Sequence, residues 1–214
     1  MTSRRPKTAV LVLDGGERRR FAIIGCSLLL MAAAALLFSP PARGAEMDEA
    51  ALWKTLQSGG HVVMIRHALA PGSGDPPDFD VNDCATQRNL SDRGRDQARA
   101  IGAAFRERDV PVGDVLTSAW CRCKETADLA FGAVHIWPPL NSFWENRPAG
   151  PAQVRKIQAR LKQPVEKGNL FLVTHFINIS HATGEGVGSG EAVVVRPLPP
   201  DDFKVLGTLP FAVP

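Results

Sequence analysis

The sequence predicts an α/β domain: a three-layer α/β/α sandwich with a mostly parallel central sheet, preceded by an N-terminal signal or anchor segment. Three observations predict it. Gly59-Gly60-His61 leads into Val62-Val63-Met64-Ile65 and stops at Arg66-His67. A short continuous apolar run after a glycine turn reads as a strand buried on both faces, as in a parallel sheet. Asn169 to Val173 repeats the pattern and stops at Thr174-His175. Around these runs, stretches of helical spacing alternate with short β-rich stretches, which indicates helices covering both faces of one sheet.

The chain has 214 residues, enough for one domain with its own core. Within 1–45, Arg18-Arg19-Arg20 precede Phe21 to Phe38, eighteen residues without a charge, and then Ser39-Pro40-Pro41 and the small residues Ala42 to Ala45. That is the layout of a secretory signal, with Ala42-x-Gly44 as a cleavage site. Left uncleaved, residues 21–38 just reach the length of a membrane span, with the basic flank held inside. Either way the domain at 46–214 is expected to be periplasmic or otherwise exported. The basic excess also sits in this segment. Seven Lys/Arg face two Asp/Glu over 1–45, whereas 46–214 carries 18 against 20, a balance that does not suit a nucleic-acid binder.

Met47 to Gln57 reads as a helix stopped by Ser58-Gly59-Gly60, and the first strand follows at 61–67. Residues 70–89, rich in Pro, Gly and Asp, have no periodicity; they predict a long loop over the strand end, where function often sits. Ser91 caps a helix whose apolar stripe, Ala98, Ile101, Ala104 and Phe105, runs to Arg108. Asp114 to Ser118 is the second strand and Cys121 to Phe131 the next helix. Val134 to Trp137 is a weaker strand before Pro138-Pro139, and Ala152 to Leu161 is a helix with Val154, Ile157 and Leu161 inward. After the strand at 169–175, a short helix at 176–183 precedes closing strands at 192–195 and 203–206, with an antiparallel edge.

In a parallel sheet the chemistry gathers at the carboxyl ends of the strands. Two strands end in His67 and His175, and a third leads through Ser118 into a helix that begins near Arg122. Their ends bring two imidazoles together with the guanidiniums of Arg66 and Arg122. Arginine forks match phosphate oxygens, and the free N–H groups of a helix start favour an anion, so the set suits a phosphoryl group.

Arg66-His67, Leu90-Ser91-x-x-Gly94-x-x-Gln97-Ala98, Ser118-x-x-x-Arg122-x-x-x-Thr126-Ala127 and Thr174-His175 resemble, in order and spacing, the histidine phosphatase superfamily (phosphoglycerate mutase-like). The resemblance implies a phosphomonoesterase, and the pattern at 1–45 an exported one. His67 is then the nucleophile that becomes phosphohistidine, and Arg66, Arg122 and His175 hold the phosphoryl group. Glu145, beside Trp144, stands where many members keep the general acid, with Asp78, Asp80 and Asp83 of the long loop as competitors. Arg88 and Ser118 are placed as substrate contacts. A neutral imidazole is nucleophilic near pH 7, and fixed cations meet the charge developing on the equatorial oxygens, so neither a metal nor another cofactor is implied. The expected partner is a small-molecule or glycan phosphomonoester; a membrane is involved only through residues 21–38.

Two departures stand out. Ala68 occupies the position after the nucleophile that is commonly glycine, and its methyl group is expected to narrow the approach to phosphate. Leu69 to Gly74 replaces the polar, asparagine-bearing segment of the mutase-like branch. His61, His135 and His181 match no motif and read as structural. Cys84, Cys121 and Cys123 remain beyond the signal; in an oxidising compartment Cys84 pairs with Cys121 or Cys123, and the Cys-x-Cys spacing is not a recognised zinc pattern. Two rivals follow: a phosphate- or phosphoglycan-binding protein that keeps the pocket without turnover, and a redox or metal module built on the three cysteines.

Overall fold

The structure, a computed structural model, describes residues 46–214; the signal or anchor expected at 1–45 lies outside the described residues. The strands are β1 (Val62–Arg66), β2 (Val112–Thr117), β3 (His135–Ile136), β4 (Asn169–Thr174), β5 (Ala192–Leu198) and β6 (Asp202–Leu209). The α-helices are α1 (Glu49–Gln57), α2 (Asp92–Glu107), α3 (Cys121–Phe131), α4 (Gly150–Leu161) and α5 (Phe176–Thr183). One mixed sheet runs in the order β3-β2-β4-β1-β5-β6. β3, β2, β4 and β1 pair in parallel, while β5 and β6 close the sheet through antiparallel ladders.

Alternation along the strands builds the three layers, because successive side chains of a strand leave on opposite faces. Val63, Ile65, Phe171, Val173 and Val194 meet α1, α2 and α3 through Leu52, Leu56, Ile101, Phe105 and Ala127. Their neighbours Val62, Met64, Leu170, Leu172 and Val193 meet α4 and α5 through Ile157, Leu161 and Ile179. Val62–Ile65 of β1 and Leu170–Val173 of β4 are therefore apolar without interruption, as strands covered on both faces must be.

The ends of elements follow local chemistry. The Asp48 carboxylate caps α1 by accepting from Ala51 N–H at 2.8 Å, and Ser91 Oγ caps α2 by accepting from Gly94 N–H at 3.1 Å. Gly132, at φ 66°, closes α3 in the left-handed region that glycine occupies without strain. β2 and β6 extend beyond the ranges read from the sequence, since ladder hydrogen bonds continue past the apolar residues. β3 contracts to two exposed residues at the sheet edge, a short edge that offers little to a neighbouring strand.

The loop over the strand ends is irregular but tied down. Cys84 forms a disulfide with Cys121, the first residue of α3, across a separation of 37 residues. Phe79 lies against Trp120, with ring centroids 5.7 Å apart. Among the described residues no helix is long and apolar enough to cross a membrane.

Two glycines set how closely α2 is held. A Cβ on Gly94 would lie 2.0 Å from the Leu69 carbonyl oxygen, just past the end of β1, and one on Gly102 would lie 2.0 Å from the Ala130 carbonyl of α3. Backbone cannot yield as a side chain does, so Gly102→Ala should force α2 and α3 apart and cost about 1–3 kcal/mol. A lower urea midpoint would register this; an unchanged midpoint would mean that the two helices separate freely.

Candidate active site

The parallel ladder between β1 and β4 ends with Arg66 opposite Thr174, and His67 N–H donates to the Thr174 carbonyl at 2.9 Å. The next residue of each strand is a histidine, so the two rings face one another with centroids 5.6 Å apart. Both are buried. They stand at the floor of a cleft of about 320 Å³, within the size of small-molecule sites, whose wall includes Arg66, Arg88 and Arg122.

Hydrogen bonds assign the tautomers. His67 Nδ1 lies 2.8 Å from the Ala68 carbonyl oxygen; a carbonyl only accepts, so Nδ1 carries the proton and Nε2 keeps its lone pair. His175 is turned the other way. Its Nδ1 faces Arg122 Nη2, a donor only, at 3.5 Å, and its Nε2–H donates to Ser118 Oγ at 2.9 Å. Ser118 Oγ also accepts from Trp120 N–H at 3.2 Å and donates to Asn141 Oδ1 at 3.4 Å.

The cations are anchored by protein groups. Arg66 donates through Nη1 to the Val187 carbonyl at 2.9 Å, and its guanidinium stands 5.6 Å from the centroid of the Phe176 ring. Arg122 is held by an aspartate, Asp75. Among the described residues the Nε atoms of both Arg66 and Arg122 are buried and have no hydrogen-bond partner. An unpaired buried donor is expensive, and two of them on cations lining one cleft fit an anion as the missing acceptor. Arg88 donates through Nε to the Gly74 carbonyl at 2.7 Å and through Nη1 to that of Ala70, so it braces the loop from inside the same cleft.

Electrostatics keep both rings neutral. Burial, followed by the charge of Arg122, pushes the His67 pKa down to about 3. The same causes in the same order hold His175 well below the ordinary histidine value, with the His67 ring adding to them. An uncharged imidazole with a free Nε2 lone pair is the nucleophilic form.

The structure thus brings together His67, His175, Arg66, Arg122 and Arg88. Glu145 reaches the cleft as well, from the exposed stretch after Leu140. Ser118, expected to contact substrate, is fully buried, and its hydroxyl orients His175 from behind. Asp80 and Asp83 accept backbone N–H groups of Asn82 and Ala85 within their own turns and, like Asp78, do not line the cleft. The Ala68 methyl does not narrow the approach to phosphate: it lies in a small cluster with Ala70, Leu90 and Ala98, and Ala68 N–H donates to Thr126 Oγ1 at 3.1 Å. That places the Thr126 and Ala98 positions of the motif against Ala68, behind the His67 segment rather than in the cleft. Of the cysteines, Cys84 and Cys121 are joined, which removes both as metal ligands. Burial pushes the remaining thiol, Cys123, up to about 12, so it stays protonated and inert.

Asp75 is the residue that sequence reading missed. Its signal was slight, one acid in Gly72-Ser73-Gly74-Asp75-Pro76-Pro77, a turn-forming stretch in which aspartate is ordinary. Trp144 and Phe176, both exposed aromatics on the cleft wall, had no periodicity to mark them.

A model of the histidine phosphatase superfamily (branch 1) matches residues 62–143, from β1 to just beyond β3, and the resemblance read from the sequence is thereby shown. The chain is 32% identical over 78 residues to the mitochondrial serine/threonine-protein phosphatase Pgam5 of Drosophila virilis, and 31% identical over 74 residues to that of Drosophila grimshawi. The first alignment covers 36% of this chain and 24% of that protein, the second 35% and 23%; the chain thus spans about a quarter of the length of these relatives. Among solved structures, the product of the Rv3214 open reading frame of Mycobacterium tuberculosis is similar at a TM-score of 0.52 and 15% identity, over 68% of this chain and 94% of that one. Mycobacterial glucosyl-3-phosphoglycerate phosphatase Rv2419c is similar at 0.50 and 16%, over 68% and 96%. At such identities the likeness is one of fold.

The neutral rings make stability depend on acidity. The unfolded chain protonates its histidines near pH 6.5, whereas the folded site resists protonation down to about pH 3 at His67. Between those values the unfolded state binds more protons, so the stabilisation present above pH 6.5 is lost as pH falls. Urea midpoints measured from pH 7 to pH 4 should decline, and His67→Asn should flatten the decline by up to about 1.4 kcal/mol per pH unit. Equal slopes for the two proteins would show that His67 does not titrate as its surroundings require.

Proposed function

We propose that the domain is an exported phosphomonoesterase that works through a phosphohistidine on His67, with arginines in place of a metal. The observation that carries this reading is the free Nε2 lone pair of His67, set beside His175 and two arginine Nε–H donors that have no acceptor of their own.

The chemistry follows from those atoms. His67 Nε2 attacks phosphorus as the ester P–O bond breaks, and the charge on the equatorial oxygens meets Arg66 and Arg122, already in place. The departing alkoxide takes a proton from the Glu145 carboxyl. Glu145 then removes a proton from water, the hydroxide attacks the phosphohistidine, and the N–P bond breaks to release phosphate and restore neutral His67. Ser118 keeps the ring of His175 oriented through both steps.

Export is supported by the N-terminal pattern at 1–45 and by the Cys84–Cys121 disulfide, a bond that persists in oxidising compartments. The aromatic faces of Trp144 and Phe176 at the cleft favour a leaving group with a ring, which a glycan phosphomonoester supplies. A binding protein without turnover loses one of its arguments, since Ala68 does not obstruct the cleft.

Brief reaction with an aryl phosphate followed by denaturation should trap an acid-labile label on His67, absent in His67→Ala. A wild-type protein that binds phosphate and never labels would favour the binding role. Glu145→Gln should lower kcat by about 10²-fold or more on alkyl or sugar phosphates while leaving activated aryl phosphates nearly unaffected; equal losses on both would remove Glu145 as the acid.

A further inference from the structure

One carboxylate, that of Asp75, is buried behind the wall of this cationic cleft, against Arg122. The Asp75 side chain is 1% exposed and Arg122 3%. Its Oδ1 accepts from Arg122 Nη1 at 2.7 Å and from Arg88 backbone N–H at 3.0 Å. Its Oδ2 accepts from Arg122 Nη2 at 3.1 Å and from the Trp120 indole Nε1–H at 3.0 Å. Burial alone would raise its pKa, but the hydrogen bonds and charge of Arg122, with the donors from Arg88 and Trp120, hold it below the usual carboxylate range. Asp75 is an ion, gripped at four points.

An anion in that place opposes the binding of phosphate through space, so its presence calls for a compensating role. The geometry supplies one. A bidentate carboxylate fixes both ends of the Arg122 fork, and a guanidinium held at Nη1 and Nη2 has its plane and its Nε–H direction determined. That Nε–H is the donor left without a partner. Arg66 is arranged on the same principle, tethered at Nη1 to Val187 with its Nε unpaired.

We propose that Asp75 is a positioning residue: it clamps the fork of Arg122 so that the guanidinium is presented to the phosphoryl group in one orientation, at a fixed angle to His67. The inference rests on the phosphatase reading of the cleft. Asp75 acts only through Arg122, and the loop that bears it is part of the catalytic apparatus rather than a cover for it.

Calorimetric titration of the full chain with inorganic phosphate, in a double-mutant cycle of Asp75→Asn and Arg122→Ala, tests this. On charge alone, removal of an anion from beside Arg122 would tighten phosphate binding, so a loss reports geometry. Asp75→Asn should weaken binding about tenfold in the wild-type background and have little effect once Arg122 is alanine. Unchanged or tighter binding by Asp75→Asn would overturn the proposal and make Asp75 an internal competitor for the fork, as would losses that multiply in the double variant. If Asp75→Asn does not fold, Trp120→Phe, which withdraws one tether from Asp75, should weaken phosphate binding severalfold, and unchanged binding there would equally overturn it. Wild-type protein that binds no phosphate would defeat the phosphatase reading itself, a result separate from any behaviour of the variants.

Discussion

The register of one parallel ladder governs the site. Arg66 pairs with Thr174, and the histidines one residue beyond this pair emerge side by side at the strand ends. Because alternate residues of a strand leave on opposite faces, a slip by one residue would send one imidazole to the far side of the sheet. Register is secured by what lies beneath it, since Val63, Ile65, Phe171 and Val173 have one set of helices to fill and Val62, Met64, Leu170 and Leu172 another. A core that cannot be inverted without burying the wrong faces thereby sets the spacing of the two imidazole rings.

Upon that frame the site is arranged as a competition between burial and charge. Three arginines and two histidines share one cleft, and the buried histidines yield by staying neutral. The arginines cannot yield in that way, so each is satisfied partly by protein groups: Arg66 by a carbonyl, Arg88 by loop carbonyls, Arg122 by Asp75. What remains is the Nε–H of Arg66 and of Arg122, each buried and without a protein acceptor among the described residues. The three guanidiniums are fixed around one cleft by the fold itself, which is the preorganisation that electrostatic stabilisation of an anion needs.

Much of this was legible from the sequence, for identifiable reasons. Buried parallel strands are uninterrupted apolar runs, so β1 and β4 could be read together with the residues that end them. Helical spacing and a serine cap located α2, and the cysteines bounded the disulfide to two partners, of which Cys121 is the one used. Residues whose role depends on contacts distant in sequence were not legible. Asp75 lies 47 residues from Arg122, in a stretch with no period to mark it, and the acids nearby looked no different. Ser118 carried the right motif, but whether its hydroxyl faces substrate or His175 depends on the side from which Asn141 and Trp120 approach. Ala68 was misread for a related cause: the direction of a methyl group at a strand end follows from the cluster behind it, which only the assembled helices reveal.

The cross-link between Cys84 and Cys121 has a practical corollary. Cys121 directly precedes Arg122, and Cys84 belongs to the segment that supplies Asp75, so the sulfur bridge and the arginine-lined cleft form one mechanical unit. Material synthesised where glutathione keeps thiols reduced would have the same sequence but lack this brace. Two batches of identical chain, one oxidised and one not, are therefore chemically different specimens, and free-thiol content belongs beside purity as a criterion for comparing them.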